Sequence, residues 1–294
     1  ITFTNDITLL NNADLIFISL DVKTSQQGKS DLRELNLYLE NIYANIKKNK
    51  LIILLSQVPP GYTDSIKWKK KYLYYQVETL VFGKALERAL SPERIIIGKD
   101  VNNLKINLIL KKYYNLFSKK HFIMSYSSAE LTKISINIFL ASSITTTNTI
   151  AEICEKISAD WSDILPALRS DKRIGEYAYL NPGLGIGGGN ILRDIKSLKN
   201  IAKKNNSSSH LMNSFINNSK RRQLWIINKI KNLQKNKKIN KISLLGLSYK
   251  EGTNSILNSP AIFLIKYFKE ITFYAFDPIV KSNIKHSNLI ICKN

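Results

Sequence analysis

The stretch Leu51-Ile52-Ile53-Leu54-Leu55-Ser56-Gln57-Val58-Pro59-Pro60-Gly61 decides the fold. Its five consecutive apolar residues end in a turn punctuated by proline and glycine, which marks a short buried strand rather than a helix. Unbroken apolar strands belong to sheets covered by helices on both faces. Upstream, Leu15 to Leu20 is a second such run, introduced by Ala13-Asp14. The stretch between the two, Leu32 to Ile46, has the spacing of an amphipathic helix, and Ile95 to Gly98 supplies a third strand. Strand, helix, strand in this rhythm predicts an α/β array with parallel strands and crossover helices. No Gly-x-Gly-x-x-Gly opens the region, although a dinucleotide site of this kind begins with one.

Beyond this array the pattern changes. Tyr126 to Ile157 predicts one long helix, with Leu131, Ile134, Ile138, Ile150 and Ile153 among its apolar positions. Asn181 to Gly189 holds one proline and five glycines in nine residues and breaks regular structure; a helix follows from Ile191 through Leu198. After the polar break Ser207 to Ser209 comes a basic connector helix, Leu211 to Leu233. The α/β pattern then restarts: a strand in Lys241 to Tyr249 ending at Gly246, a helix after Pro260, and a strand Ile271 to Phe276 closed by Asp277-Pro278.

The 294 residues are 44% hydrophobic and 22% charged, enough for a substantial core in two or three domains. A net charge of +22 raises nucleic acid as a partner. The lysines are scattered among Asn and Ile, however, which describes a solvated basic face whose field favours an anionic substrate. Cys154 and Cys292 stand far apart with no Cys-x-x-Cys spacing. His121, His210 and His286 are equally dispersed, so neither a metal site nor a catalytic triad is expected. No apolar run is long enough to span a bilayer and the opening residues lack a signal-peptide pattern; a reducing cytoplasm fits.

Four segments carry chemistry. The first is the Ser56 to Gly61 turn. The second is Glu78-Thr79-Leu80-Val81-Phe82-Gly83-Lys84-Ala85, leading to Pro92-Glu93-Arg94-Ile95-Ile96-Ile97-Gly98, where Glu78 is a carboxylate able to position water or shuttle a proton. The third is Ala129-Glu130-Leu131-Thr132-Lys133-Ile134-Ser135-Ile136-Asn137. Lys133 and Asn137 are four residues apart on one helix face, an ammonium and a carboxamide suited to a developing oxyanion. The fourth runs from Asp171-Lys172-Arg173-Ile174-Gly175 to Gly185-Ile186-Gly187-Gly188-Gly189-Asn190-Ile191-Leu192-Arg193-Asp194. Its glycines allow close backbone approach to a ligand, before a helix start that suits an anion.

Together these segments resemble the UDP-glucose/GDP-mannose dehydrogenase family over nearly the whole chain. They are similar to its Ser-Thr-Val-Pro-x-Gly turn, its Glu-Phe-Leu-x-x-Gly-x-Ala and Pro-x-Arg-x-x-x-Gly segments, its Ala-Glu-x-x-Lys-x-x-x-Asn helix, and its Arg-Ile-Gly followed by Gly-x-Gly-Gly-Ser-Cys-x-x-Lys-Asp. The resemblance implies catalytic roles for Glu78, Lys133, Asn137 and Asp194, with Asn190 at the position of the family's nucleophilic cysteine. It implies cofactor contacts from Ser56, Gln57, Glu78 and Lys250, and substrate contacts from Lys133, Gly185, Gly187 and Gly188. Leu245-Gly246-Leu247-Ser248-Tyr249-Lys250, Gly252-Thr253 and Ser259-Pro260 resemble the family's C-terminal nucleotide-sugar segment, with Ser255 and Leu257 in place of its aspartate and arginine.

The architecture so implied is an incomplete Rossmann-like NAD-binding domain (1–120), a central helical dimerisation domain (121–215), and a connector helix with an incomplete Rossmann-like nucleotide-sugar domain (216–294). Ile1 and Asn294 read as truncation points. The implied function is NAD-dependent oxidation of a CH–OH group of a nucleotide sugar for polysaccharide precursor synthesis, in a cytoplasmic homodimer or higher homo-oligomer without metal, membrane or nucleic-acid partners. The thioester route is doubtful because a delocalised amide nitrogen cannot replace a thiolate. The alternative is a non-catalytic relative that binds nucleotide sugar or assembles with others.

Overall fold

The computed structural model describes the chain except Gln26, Phe82, residues 281–283 and residues 293–294. Phe82 of the Glu78 motif and the terminal Asn294 therefore lie outside the described residues. The chain divides into two compact units, Ile1–Ile136 and Asn137–Asn294.

The first unit is a five-stranded sheet: β1 (Leu15–Ile18), β2 (Leu51–Leu54), β3 (Leu73–Gln76), β4 (Ile95–Lys99) and β5 (His121–Ser125), in that spatial order. Its helices are α1 (Arg33–Asn45), α2 (Tyr62–Ser65), α3 (Ala85–Leu90), α4 (Leu108–Asn115) and the start of α5 (Tyr126–Ile157). Strand β2 shows why an unbroken apolar run folds this way. Successive side chains point to opposite faces, so Ile52 and Leu54 join Leu35, Leu39 and Ile42 of α1, while Leu51 and Ile53 pack with Leu110 and Tyr114 of α4. Each such buried side chain contributes about 1.5–3 kcal/mol.

The expected all-parallel sheet needs one correction. Strands β1, β2 and β3 run parallel, as do β4 and β5, but β4 lies antiparallel to β3, pairing Tyr75 with Gly98 and Gln76 with Ile97. A parallel crossover needs a helix laid on the sheet; the connecting α3 has six residues and buries none of them. Two strands of this sheet also go unread in the sequence, as does the short strand Leu289–Ile291 of the second unit. In β3, the buried Tyr74 and Tyr75 follow the basic run at Lys67 to Lys71, which masks the strand; β5 starts from a polar histidine.

Helix α5 spans the residues expected of it. Its first turns lie against β4 at Gly98, where an added Cβ would stand 3.0 Å from the Ala129 Cβ and 3.2 Å from the Tyr126 Cα. The Tyr126 hydroxyl donates to the Leu73 carbonyl at 2.9 Å and holds the helix start on β3.

The second unit continues α5 and adds α6 (Trp161–Ser170), α7 (Asn190–Lys204) and α8 (His210–Asn236). A three-stranded parallel sheet follows, β6 (Lys241–Leu245), β7 (Thr272–Phe276) and β8 (Leu289–Ile291), with α9 (Pro260–Tyr267) between β6 and β7. Ile227 and Ile230 at the end of α8 share a core with Ile262 and Ile265 of α9 and Phe273 and Ala275 of β7. Both sheets are Rossmann-like, as expected. Cys154 is buried on α5.

Candidate functional site

In the first unit the candidate residues gather on the turns that follow β2 and β3. Ser56 is buried just after β2, and its Oγ has no hydrogen-bond partner among the described residues. Gly61 closes the turn at φ +91°, in the left-handed region where a side chain costs energy. The turn is gripped from α5: the Glu130 carboxylate accepts the Gly61 N–H on Oε2 at 2.5 Å and the Thr63 N–H on Oε1 at 2.8 Å. Burial pushes the Glu130 carboxyl up from its ordinary value, and hydrogen bonds from Thr63 and Gly61 offset part of this.

One turn further along α5, the Lys133 ammonium donates to the Glu78 carbonyl oxygen at 2.5 Å and lies 3.8 Å from its Oε2. The Glu78 side chain also bends back to accept the Leu80 N–H. Lys133 and Glu78 thus meet in one place in the first unit. Beside them a cavity of about 340 Å³ is lined by Leu55, Gln76, Glu78, Arg94, Tyr113 and Phe117. It opens at the carboxyl end of β2 and β3, where open α/β sheets bind their ligands.

In the second unit Asn137 and Asp194 come together. Asp194 is fully buried; its Oδ2 accepts from Asn137 Nδ2 at 2.5 Å and its Oδ1 from Arg193 Nε at 3.0 Å. A buried carboxylate demands such partners. Asn190, at the head of α7, is exposed.

The glycine stretch before Asn190 is pressed against its own chain. A Cβ on Gly185 would stand 2.7 Å from the Ser219 carbonyl oxygen, and one on Gly188 would stand 2.6 Å from the Tyr249 ring. Gly187 lies against Tyr249 as well, and a Cβ on Gly189 would be 2.8 Å from Leu257 Cδ2. The Gly188 N–H donates to the Leu257 carbonyl at 3.0 Å, and Asn258 Nδ2 donates to the Gly188 carbonyl at 2.6 Å. Intrachain packing is therefore already a physical reason for glycine at 185, 187 and 188. Arg222 is buried, donates from Nε to the Gly183 carbonyl at 2.8 Å and stacks on Trp225.

Lys250 sits in the loop after β6, which is held by Asp277 at the end of β7. Asp277 Oδ2 accepts the Leu247 and Ser248 N–H groups at 2.7 and 3.1 Å, and Oδ1 accepts those of Ile279 and Val280 at 2.9 and 2.8 Å. Burial pushes this carboxyl up, but the four backbone donors outweigh it and bring it down to about 2.

The sequence reading assigned no role to Glu130, Ser219, Arg222, Tyr249 or Asp277. A glutamate one helical turn before Lys133, on a helix start otherwise rich in small and apolar residues, was a legible hint. Nothing local marked Ser219 or Tyr249 as the neighbours of the glycines. Among the described residues no cluster of His, Cys, Asp and Glu could hold a metal ion, and no helix is long and apolar enough to cross a membrane.

Two Rossmann-like sheets, a cavity at strand carboxyl ends, and a long helix bearing Lys133 and Asn137 define a class: the dinucleotide-linked dehydrogenases. Comparison with known proteins gives the family. Residues 1–118 match the NAD binding domain, and residues 127–220 the central domain, of the UDP-glucose/GDP-mannose dehydrogenase family. UDP-glucose 6-dehydrogenase of Rickettsia conorii is 35% identical over 96% of this chain and 68% of its own length; UDP-glucose 6-dehydrogenase TuaD of Bacillus subtilis is 29% identical over 95% and 62%. A UDP-glucose dehydrogenase structure from Pyrobaculum islandicum superposes with a TM-score of 0.87 at 21% identity, covering all of this chain and 71% of that one. The chain belongs to the UDP-glucose/GDP-mannose dehydrogenase family, a family of NAD-dependent nucleotide-sugar oxidoreductases, and spans about two thirds of the length of the curated relatives it matches.

The residues of the first unit fit NAD at the carboxyl end of the sheet: the buried Ser56 hydroxyl is without a partner among the described residues, and the cavity beside Glu78 combines apolar and aromatic walls with Arg88 and Arg94. No Gly-x-Gly-x-x-Gly occurs in residues 1–120.

Proposed function

We propose that the protein oxidises a CH–OH carbon of a nucleotide sugar, with NAD as hydride acceptor, and releases the aldehyde or its hydrate rather than forming a thioester. The observation that carries this is the fully buried Asp194 holding Asn137 on α5, the helix that also carries Lys133. A buried carboxylate is costly unless its oxygens are bonded, and here one of the bonds that satisfies it also fixes the carboxamide.

In this reading the Lys133 ammonium and the Asn137 carboxamide donate to the substrate oxygen as it gains negative charge. Asp194 fixes the Asn137 rotamer, and Glu78 positions water or takes the hydroxyl proton. Ser56, Gln57 and Glu78 hold NAD, which when bound supplies the hydride-accepting ring. Lys250 contacts the nucleotide, and Gly185, Gly187 and Gly188 meet the substrate through their backbone groups, since Ser219 and Tyr249 already fill the space of their missing side chains. Asn190 offers no thiolate, so no covalent acyl intermediate forms there. The segments 1–120, 121–215 and 216–294 then serve as cofactor, dimerisation and nucleotide-sugar parts. Exposed Phe139 and Ile157 on α5 support a homo-oligomer. A cytoplasmic place in polysaccharide precursor synthesis completes the proposal, in keeping with relatives named UDP-glucose 6-dehydrogenase.

The test is an assay of the full-length protein with NAD and a panel of UDP- and GDP-sugars. One NADH per sugar consumed is expected. Two NADH with a uronic acid product refutes the shortened reaction, and no NADH with any sugar refutes the activity. Asn190, Ser255 and the Leu257 side chain beside Gly189 favour one other reading, a nucleotide-sugar binder without turnover. Tight binding with no NADH, persisting in Asn190→Cys, is its signature.

A further inference from the structure

We infer that Glu130 is a positioning residue for cofactor binding: its buried carboxylate sets the turn between Ser56 and Thr63 that presents Ser56 and Gln57. This rests on the proposed use of NAD by this unit. The carboxylate is 1% exposed and spends both oxygens on backbone donors 67 and 69 residues away in sequence, the Thr63 and Gly61 N–H groups. Neither donor belongs to a strand, and α2 is a single turn, so the path of the turn depends on these bonds.

The anchor is stiff. Ala129 packs on Gly98 and Tyr126 is bonded to Leu73, which leaves the first turn of α5 no freedom to follow the loop. Three residues on, Lys133 holds the carbonyl of Glu78 in the same way. One helix start therefore fixes both turns, the one after β2 and the one after β3, that carry the proposed cofactor residues of this unit. Glutamate is the side chain the geometry calls for. Glutamine has one acceptor oxygen and would turn an N–H₂ toward the second N–H. Aspartate is one methylene shorter.

The experiment uses the full-length protein and two variants, Glu130→Gln and Gly61→Ala. The second strains the same turn at its φ of +91° while leaving the Glu130 side chain in place, and it creates no clash, since Ser127 Oγ, at 4.0 Å, is the nearest neighbour of the added Cβ among the described residues. NAD affinity is measured by titration calorimetry. Hydrogen exchange of the Gly61 and Thr63 amides is followed without NAD, and UDP-sugar binding is measured separately.

Both variants are expected to weaken NAD binding about tenfold, the scale of losing one hydrogen bond to a charged group, and to leave UDP-sugar binding unchanged. Glu130→Gln should also speed exchange at the two amides. Faster exchange with an unchanged NAD dissociation constant overturns the positioning role and leaves a structural one. An unchanged constant in Gly61→Ala overturns it as well. Wild-type protein that does not bind NAD overturns both this role and the cofactor reading, so the two failures are told apart by the wild-type titration.

Discussion

Placing a methyl group on Gly188 tests whether the glycine turn is set by its own chain. Two costs add there. Gly188 has φ +70°, and an L-residue in the left-handed region costs about 1–2 kcal/mol. The new Cβ would also stand 2.6 Å from Tyr249 Cε2 and 2.8 Å from Cζ, well inside an ordinary contact of roughly 3.5–4.0 Å. Forcing an extra carbon into packed surroundings costs about 1–3 kcal/mol. Gly188→Ala should therefore lose about 2–5 kcal/mol, a large share of the roughly 5–15 kcal/mol that holds a typical protein folded.

Two other glycines separate the contributions. Gly175 has φ +90° with nothing within 4 Å of an added Cβ, so Gly175→Ala should show the backbone cost alone. Gly183 has open space and no positive φ, and its alanine variant should stay within about 0.5 kcal/mol of wild type. Equilibrium urea unfolding, read by the fluorescence of Trp68, Trp161 and Trp225, measures all three. A double-mutant cycle with Tyr249→Ala should return a coupling of about 1–3 kcal/mol at Gly188. If Gly188→Ala costs no more than Gly175→Ala, or if Tyr249→Ala returns nothing, the ring does not press on the turn and the reasoning fails.

Three further outcomes are expected. Asp277 has a folded carboxyl at about 2, below its ordinary value, so its stabilising contribution is present above about pH 4 and is lost as pH falls through about 2; Asp277→Asn should flatten that part of an acid-unfolding curve. Gly98→Val should cost about 1–3 kcal/mol by overpacking, because the Ala129 and Tyr75 Cβ atoms and the Tyr126 backbone all lie within 3.2 Å of the new Cβ; a thermal melt unchanged from wild type speaks against the close approach. Asn137→Ala leaves Asp194 Oδ2 buried without the carboxamide and should lose about 1–3 kcal/mol, measured by urea unfolding, in addition to any effect on turnover.

Much of the fold was legible because the apolar runs are strong and local. The runs at β1, β2 and β4, the 32 residues of α5 and the restart at β6 are each visible in a window of neighbouring residues. Strand β3 was hidden by the lysines before it, since their charge obscures the apolar pattern of Leu73 to Tyr75. The antiparallel β4 was hidden for another reason: chain direction depends on whether α3 lays a face on the sheet, and no residue of α3 is buried. At the site, the Lys133 and Asn137 spacing could be read from helix geometry. Their partners, Glu78 for one and Asp194 for the other, lie 55 and 57 residues away and came forward through family motifs, not through any local rule.

By itself the sequence determined the α/β class and the long helix with its two polar residues, because periodicity and residue chemistry are local properties, and its motifs were enough to show the family resemblance. Only the tertiary structure decided why the turn glycines are glycine, with Ser219 and Tyr249 standing where side chains would go. It also decided that Glu130 is a buried tether, not a solvated acid. These depend on which atoms meet across long stretches of chain, and a contact of 2.6 Å between residues 188 and 249 is set by packing rather than by either residue's neighbours in sequence.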